Sequence, residues 1–403
     1  MDVRTVVTVS VLLVGGIVAA VAVAVRGGGP AAPASSPPPA AAAAVQALER
    51  IRADGRFFVT AGGVTFRPVF ASALAILTKP AEQQAAVLDE IQSLGFNGIR
   101  VFAGALPWAG QTADAAAAAL PRLLDEAARR HLYVYVSAIT DSGTGYDVEA
   151  HLRRVAAIVA RHDNALLEVA NEIGHPTQSA RVNDPAALLA LARRIVPADV
   201  PWALGAALGV DDVSPEHPYP TAGGVFNDAH LDRGGDRWTQ VAGLRGIAGI
   251  GEATGKPVIS GEPIGAAEAA IAGRRASAPA FFFAMGALCR GFELGCVWHS
   301  EAGLHGERLG PVQRRAAEAF ITGWRALDTD ARLSFQDPGP EAPIAAVAAA
   351  SVAHAYTFVA GTRGFLVLLG VSGEPALRFS NGWSDNDVAA ERSGVQVRRI
   401  DHR

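Results

Sequence analysis

Short apolar runs alternate with Ala-rich amphipathic stretches through most of this chain, and that rhythm constrains the fold more than any other feature. "FFVTAGGVTFRPVFASA" begins as a hairpin around Ala61-Gly62-Gly63 and continues into a first strand. "AEQQAAVLDEIQSLG" then reads as a helix stopped by Gly95, and "NGIRVFA" as strand two. Further apolar runs fall at 132–138, 165–171, 201–207, 224–230, 256–262 and 291–299, which brings the strands to eight. Helical stretches occupy 113–130, 147–162, 185–196, 237–253, 265–288 and 311–326. Eight strands with intervening helices predict a parallel (β/α)8 barrel over residues 46–328, preferred to an open doubly wound sheet because no Gly-rich phosphate loop follows the first strand. Between strands five and six the prolines at Pro215, Pro218 and Pro220 predict an irregular loop in place of a helix.

The ends of the chain carry no barrel rhythm. Thr5 to Val25 is an uncharged, mostly aliphatic run of 21 residues, long enough to cross a bilayer as a helix, so residues 1–26 are expected to be a transmembrane anchor. A cleaved signal peptide, with the domain secreted, is the alternative, and Arg4 and Arg26 on either side leave orientation open. Residues 27–45 are a Gly, Pro, Ser and Ala tether. Beyond the barrel, 329–403 is expected to be a small β appendage: two strands within 354–373 joined at Gly361–Gly364, then a polar tail with too few apolar residues for a core of its own.

Composition removes whole classes of partner. The net charge is −4 and Lys79 and Lys256 are the only lysines, so no basic surface for nucleic acid exists. Cys289 and Cys296 exclude a disulfide framework and a Cys-rich zinc site, leaving one local bridge open.

In a barrel the C-terminal ends of the strands carry the chemistry. Where the apolar runs stop, this chain places Arg100 in strand two, Asn171 and Glu172 after strand four, His230 after six, Glu262 after seven, and Trp298 with His299 after eight. Two carboxylates facing each other across one mouth can cleave a glycosidic bond. An adjacent arginine keeps a nucleophilic carboxylate ionised, poor solvation keeps an acid protonated, and a Trp offers a flat face for a sugar ring.

From "VANEIG", "ISGEP", "GFNGIRVF" and "GCVWHS" the chain resembles the clan A glycoside hydrolases, family 5 in particular, over about residues 56–327. The resemblance implies Glu172 as general acid/base and Glu262 as nucleophile of a retaining hydrolase. It further implies Asn171 on the substrate 2-hydroxyl, Arg100 beside the nucleophile and Trp298 beneath the sugar, with His230 and His299 also at the substrate. The chain departs from the commonest pattern in having Ile173 where many members have proline, and Leu231 and Asp232 after His230 where many have His-x-Tyr.

The function expected is hydrolysis of a β-linked oligo- or polysaccharide outside the cytoplasm by a monomer without metal or cofactor. A metal site from His175, His299, His305, Glu301 and Glu307 is disfavoured because no H-E-x-x-H or comparable spacing occurs. Asp211, Asp212, His217, Tyr219 and Trp238 could line outer sugar subsites or simply form a solvated loop. The alternative of a different class is an inactive barrel that binds glycans or partners at the cell envelope.

Overall fold

The structure, a computed structural model, describes residues 48–207, 222–231, 241, 243–262, 278–337, 342–347, 352–380 and 382–402. The expected anchor and tether, the loop carrying Asp211 to Trp238 apart from residues 222–231, and Asp232 lie outside the described residues. Among the described residues no helix is long and apolar enough to cross a membrane.

Eight parallel strands form the barrel: Val69–Ser72, Gly98–Phe102, Tyr133–Ile139, Ala165–Ala170, Trp202–Ala203, Asn227–His230, Val258–Glu262 and Gly295–Trp298. Numbered one to eight, they lie side by side in the order 5-4-3-2-1-8-7-6. The seam between five and six is bridged where the N–H groups of Val225 and Phe226 donate to the Trp202 carbonyl at 2.7 and 3.3 Å.

Strand side chains alternate between two cores. Ile99, Val101, Val134, Val136 and Leu167 face outward and pack under the helices, while Phe70, Tyr135, Leu166, Phe226, Ile259 and Val297 fill the barrel interior. Each large apolar side chain so buried contributes about 1.5–3 kcal/mol. The predicted hairpin is part of a three-stranded antiparallel sheet, Arg52–Asp54, Phe57–Val59 and Thr65–Phe66, turning at Gly63 with φ +81°. Its Phe58 and Phe66, with Ile51, join the interior cluster.

Helix boundaries follow local chemistry. Thr112, Asp147 and Asp184 cap the helices Ala113–Ala128, Val148–Val159 and Pro185–Ile195 by accepting from backbone N–H groups in the first turn. Gly95 ends the helix Ala81–Leu94 in the left-handed region, φ +99°. The last barrel helix is Pro311–Ala326, and Leu244–Thr254 and Ala278–Gly291 precede it. Cys289 at the end of Ala278–Gly291 is disulfide-bonded to Cys296 in strand eight, which closes the question the sequence left open.

The appendage is larger in regular structure than expected. His354–Ala360 and Arg363–Leu369 form the predicted hairpin, but the polar tail supplies two further long strands, Trp383–Arg392 and Val395–His402. The five-stranded antiparallel sheet is completed by Ser334–Gln336. The tail was underestimated because few apolar residues suffice when they alternate. Val395 and Val397 are fully buried with the barrel core, and Ile400 is buried on the opposite face with Leu366 and Leu368. Phe292, just past the barrel helix, packs on Phe358 of the sheet at 5.0 Å, and a Cβ at Gly291 would lie 2.5 Å from that Phe358 ring.

Candidate active site

Above the apolar layer the barrel interior turns polar. Arg100, fully buried on strand two, stands at its centre: Nη1 donates to Glu262 Oε1 at 2.8 Å, and Nη2 donates to Glu168 Oε2 and to Asn171 Oδ1, both at 2.8 Å. Burial alone would discourage its charge, but Glu168, Glu262 and Asp228 hold it firmly protonated. The arginine expected beside one carboxylate is therefore shared between two.

Glu172 sits just past strand four with φ +44°, a left-handed conformation costly for a non-glycine residue. Its neighbours hold it there. The Asn171 N–H donates to Ile139, the Ile173 N–H to Ala206 at 2.8 Å, and Gln178 Nε2 to the Asn171 carbonyl. Ile173, the departure from the common proline, thus uses an N–H that proline lacks and buries its side chain, 4% exposed.

His230 closes the other side of Glu172. Its Nδ1 lies 3.1 Å from Glu172 Oε1 and its Nε2 3.8 Å from Asp228 Oδ2. Burial pushes the imidazole down, but the carboxylates of Glu262, Glu172 and Asp228 outweigh it and raise it to about 9. Burial likewise pushes Glu172 up, and the hydrogen bond and charge of His230 offset this, leaving it below the ordinary carboxylate range. This corrects the expectation that poor solvation holds Glu172 protonated: an imidazolium in contact wins over desolvation.

Glu262 ends strand seven, whose pairing with strand six slips between Ser260 and Glu262, and its carbonyl accepts from Leu231 N–H at 3.3 Å. One carboxylate oxygen of Glu172, one of Glu262 and a nitrogen of His230 lie within 4.8 Å of one another. Geometrically these three could hold a cation, as could Glu168, Asp228 and His230, but the Arg100 guanidinium 2.8 Å from Glu262 and the charged imidazole oppose one. Among the described residues the His175, His299, His305, Glu301 and Glu307 set forms no such grouping, and Glu307 and Glu301 pair with Lys79 and His305.

Asn171, Glu172, Glu262 and His299 line one cleft of about 440 Å³ at the C-terminal mouth. Trp298 does not. It is 0% exposed and packs outward on Phe96 and Phe282, because Val297 and its neighbour His299 take the inward positions of strand eight. The exposed aromatic face on the cleft belongs to Trp108, 47% exposed in the loop after strand two and edge-on to His305 at 5.6 Å. Sequence reading also missed Glu168 and Asp228. A charge inside "ALLEVA", on the same face as the inward Leu166, was the signal for the first, and Asp228, two residues before His230, lies on that residue's face.

Neither a protein-family model nor a curated protein sequence matches the chain. Solved structures do. A protein from Bacteroides vulgatus ATCC 8482, provisionally named a glycoside hydrolase, matches with TM-score 0.56 at 13% identity, over 89% of this chain and 83% of that one. An endo-1,4-β-mannanase from Rhizomucor miehei matches with TM-score 0.49 and 13% identity, over 68% and 99% of the two chains. An exo-β-1,4-mannosidase from Opitutaceae bacterium strain TAV5 matches with TM-score 0.48 and 18% identity, over 68% of this chain but only 61%, under two thirds, of that one. The likeness is one of fold: the chain is a (β/α)8 barrel like that of the Bacteroides vulgatus protein.

Proposed function

We propose that this barrel is a retaining glycoside hydrolase acting on a β-linked oligo- or polysaccharide, with Glu262 as nucleophile and Glu172 as general acid/base. The observation that carries the reading is the approach of the two carboxylates, oxygen to oxygen within 4.8 Å in one open cleft. Carboxyl groups about 5–5.5 Å apart suit direct attack on the anomeric carbon, whereas inversion needs about 6.5–9.5 Å to admit a water.

In the first step Glu262 attacks the anomeric carbon while the glycosidic C–O bond breaks and the leaving oxygen takes a proton from Glu172. In the second, Glu172 removes a proton from water, the water oxygen attacks the anomeric carbon, and Glu262 leaves as carboxylate. The proton for the first step is supplied by the hydrogen-bonded His230–Glu172 pair; sugar binding strips water from Glu172 and favours the proton's place on the carboxylate. Arg100 keeps Glu262 anionic and, by holding Asn171 Oδ1, presents the amide nitrogen to the sugar 2-hydroxyl. His299 forms part of the cleft wall, and Trp108 takes the aromatic role that Trp298 cannot.

An extracytoplasmic setting belongs to the same proposal. The Cys289–Cys296 disulfide and the aliphatic run from Thr5 to Val25 support it, since disulfides persist in oxidising compartments.

The test is hydrolysis of β-glucans, β-mannans and aryl β-glycosides by the parent protein, Glu172→Ala and Glu262→Ala. The expected result is cleavage by the parent, loss in Glu262→Ala, and rescue of that variant by azide with inverted configuration in the glycosyl azide. Glycan binding without cleavage by the parent would instead make this a binding barrel.

A further inference from the structure

Beneath the cleft lies a second acidic pair that the proposed reaction does not consume. Glu168 on strand four and Asp228 on strand six are 0% and 1% exposed, and a carboxylate oxygen of each lies within 4.8 Å of the other's. Two carboxylates buried this close together are accommodated when one of them carries a proton.

The surroundings say which one carries it. Glu168 already accepts from Arg100 through Nη2 at 2.8 Å and Nε at 3.3 Å, and also from the Ser137 hydroxyl. Asp228 faces the Tyr135 hydroxyl from strand three, Glu168 from strand four and, from its own strand, the more distant Nε2 of His230. The backbone of strand seven presses close to it: a Cβ at Gly261 would lie 2.5 Å from Asp228 Oδ1. Burial, then the Glu168 charge, push the Asp228 carboxyl well above the usual carboxylate range.

These contacts form a closed path. It runs from Glu262 to Arg100, to Glu168, to Asp228, to His230 and back up to Glu172. We propose that Asp228 is a positioning residue, a neutral carboxylic acid whose hydrogen bond to Glu168 ties Arg100 to His230 and so fixes the two catalytic carboxylates from below. With that proton in place Arg100 serves Glu168 and Glu262 while His230 serves Glu172. Without it a fourth carboxylate would stand unbalanced in the same dry interior. The consequence for turnover rests on the hydrolase reading; the proton does not.

Infrared spectroscopy of the full chain near neutral pH tests the proton with no substrate present, so a failed hydrolase reading cannot be mistaken for a failed pair. The parent is expected to show the carbonyl band of a protonated carboxylic acid, kept in Glu172→Gln and lost in Asp228→Asn. Absence of the band from the parent, or its survival in Asp228→Asn, overturns the proposal. In turnover, Asp228→Ala is expected to lose about tenfold or more in kcat with KM within about twofold, and Asp228→Asn, which keeps a neutral donor facing Glu168, to recover most of it. An Asp228→Ala as fast as the parent, or an Asp228→Asn as slow as Asp228→Ala, overturns the positioning role.

Discussion

His230 Nδ1 stands 3.1 Å from Glu172 Oε1, close enough for the two groups to share one proton. The imidazole is raised from 6.5 to about 9 while Glu172 is lowered, so the pair holds one proton across the neutral range.

The basic limb of kcat/KM should therefore fall near pH 9, where the pair loses its proton. In His230→Gln the proton has only Glu172 to occupy, and the limb is expected to move down by about two units or more toward the carboxylate range. A limb that stays near 9 in the variant sinks the idea that His230 stores the proton.

The same contact links stability to pH. A histidine whose folded value is raised contributes stability that is fully present below its unfolded value of 6.5 and is lost as pH rises to about 9. The shift corresponds to at most about 3 kcal/mol. Chemical denaturation at pH 6 and pH 9.5 should show the parent losing part of this, and His230→Gln showing little dependence over that window.

Arg100→Met leaves Glu168 and Glu262 buried without their shared cation. Removing one member of a buried ion pair costs about 3–5 kcal/mol, so the variant should unfold at markedly lower denaturant. Its acid limb should also move up, because a carboxylate without its cation is harder to ionise. Arg100→Lys restores the charge without the fork that reaches three partners, and should recover stability only in part.

What the sequence shows and hides follows from the kind of signal involved. Gly95, Thr112, Asp147 and Asp184 act within one helical turn, so helix ends could be read directly. The mouth of the barrel was legible because strand ends are marked by the change from apolar to polar, which brought out Arg100, Asn171, Glu172, His230 and Glu262. Facing is a parity question, and there the reading failed: Trp298 ends the strand and His299 follows it directly, so the two point to opposite sides and both could not face the sugar. Glu168 was hidden because an apolar run was read for its end and not for the charge inside it. Trp108 was hidden because which loop tips stand over a cleft is decided by tertiary placement.

Trp108→Ala should leave the fold intact, since the ring is 47% exposed. If the ring stacks on a sugar, its loss should weaken binding by about 0.5–1.5 kcal/mol, a rise of roughly two- to twelvefold in KM for oligosaccharides long enough to reach it. Aryl monosaccharides should be turned over as before. An equal loss on short and long substrates would place Trp108 in loop support, not in a subsite.

Gly261 tests the floor of the site without touching a charged residue. A methyl group there would lie 2.5 Å from Asp228 Oδ1 and 2.9 Å from Oδ2, so either Asp228 or strand seven, which carries Glu262, must move. Overpacking of this kind costs about 1–3 kcal/mol. Gly261→Ala should therefore lower both the unfolding midpoint and kcat, with KM changed less, because the displaced groups act on the carboxylates more than on sugar contacts. Gly246→Ala is the matched control: it sits inside the helix Leu244–Thr254 with nothing within 4 Å of the added Cβ, and should stabilise by about 0.5–1 kcal/mol with unchanged kcat. If Gly261→Ala behaves like that control, strand seven does not press on Asp228 in solution and the coupling of the buried acid to Glu262 is lost with it.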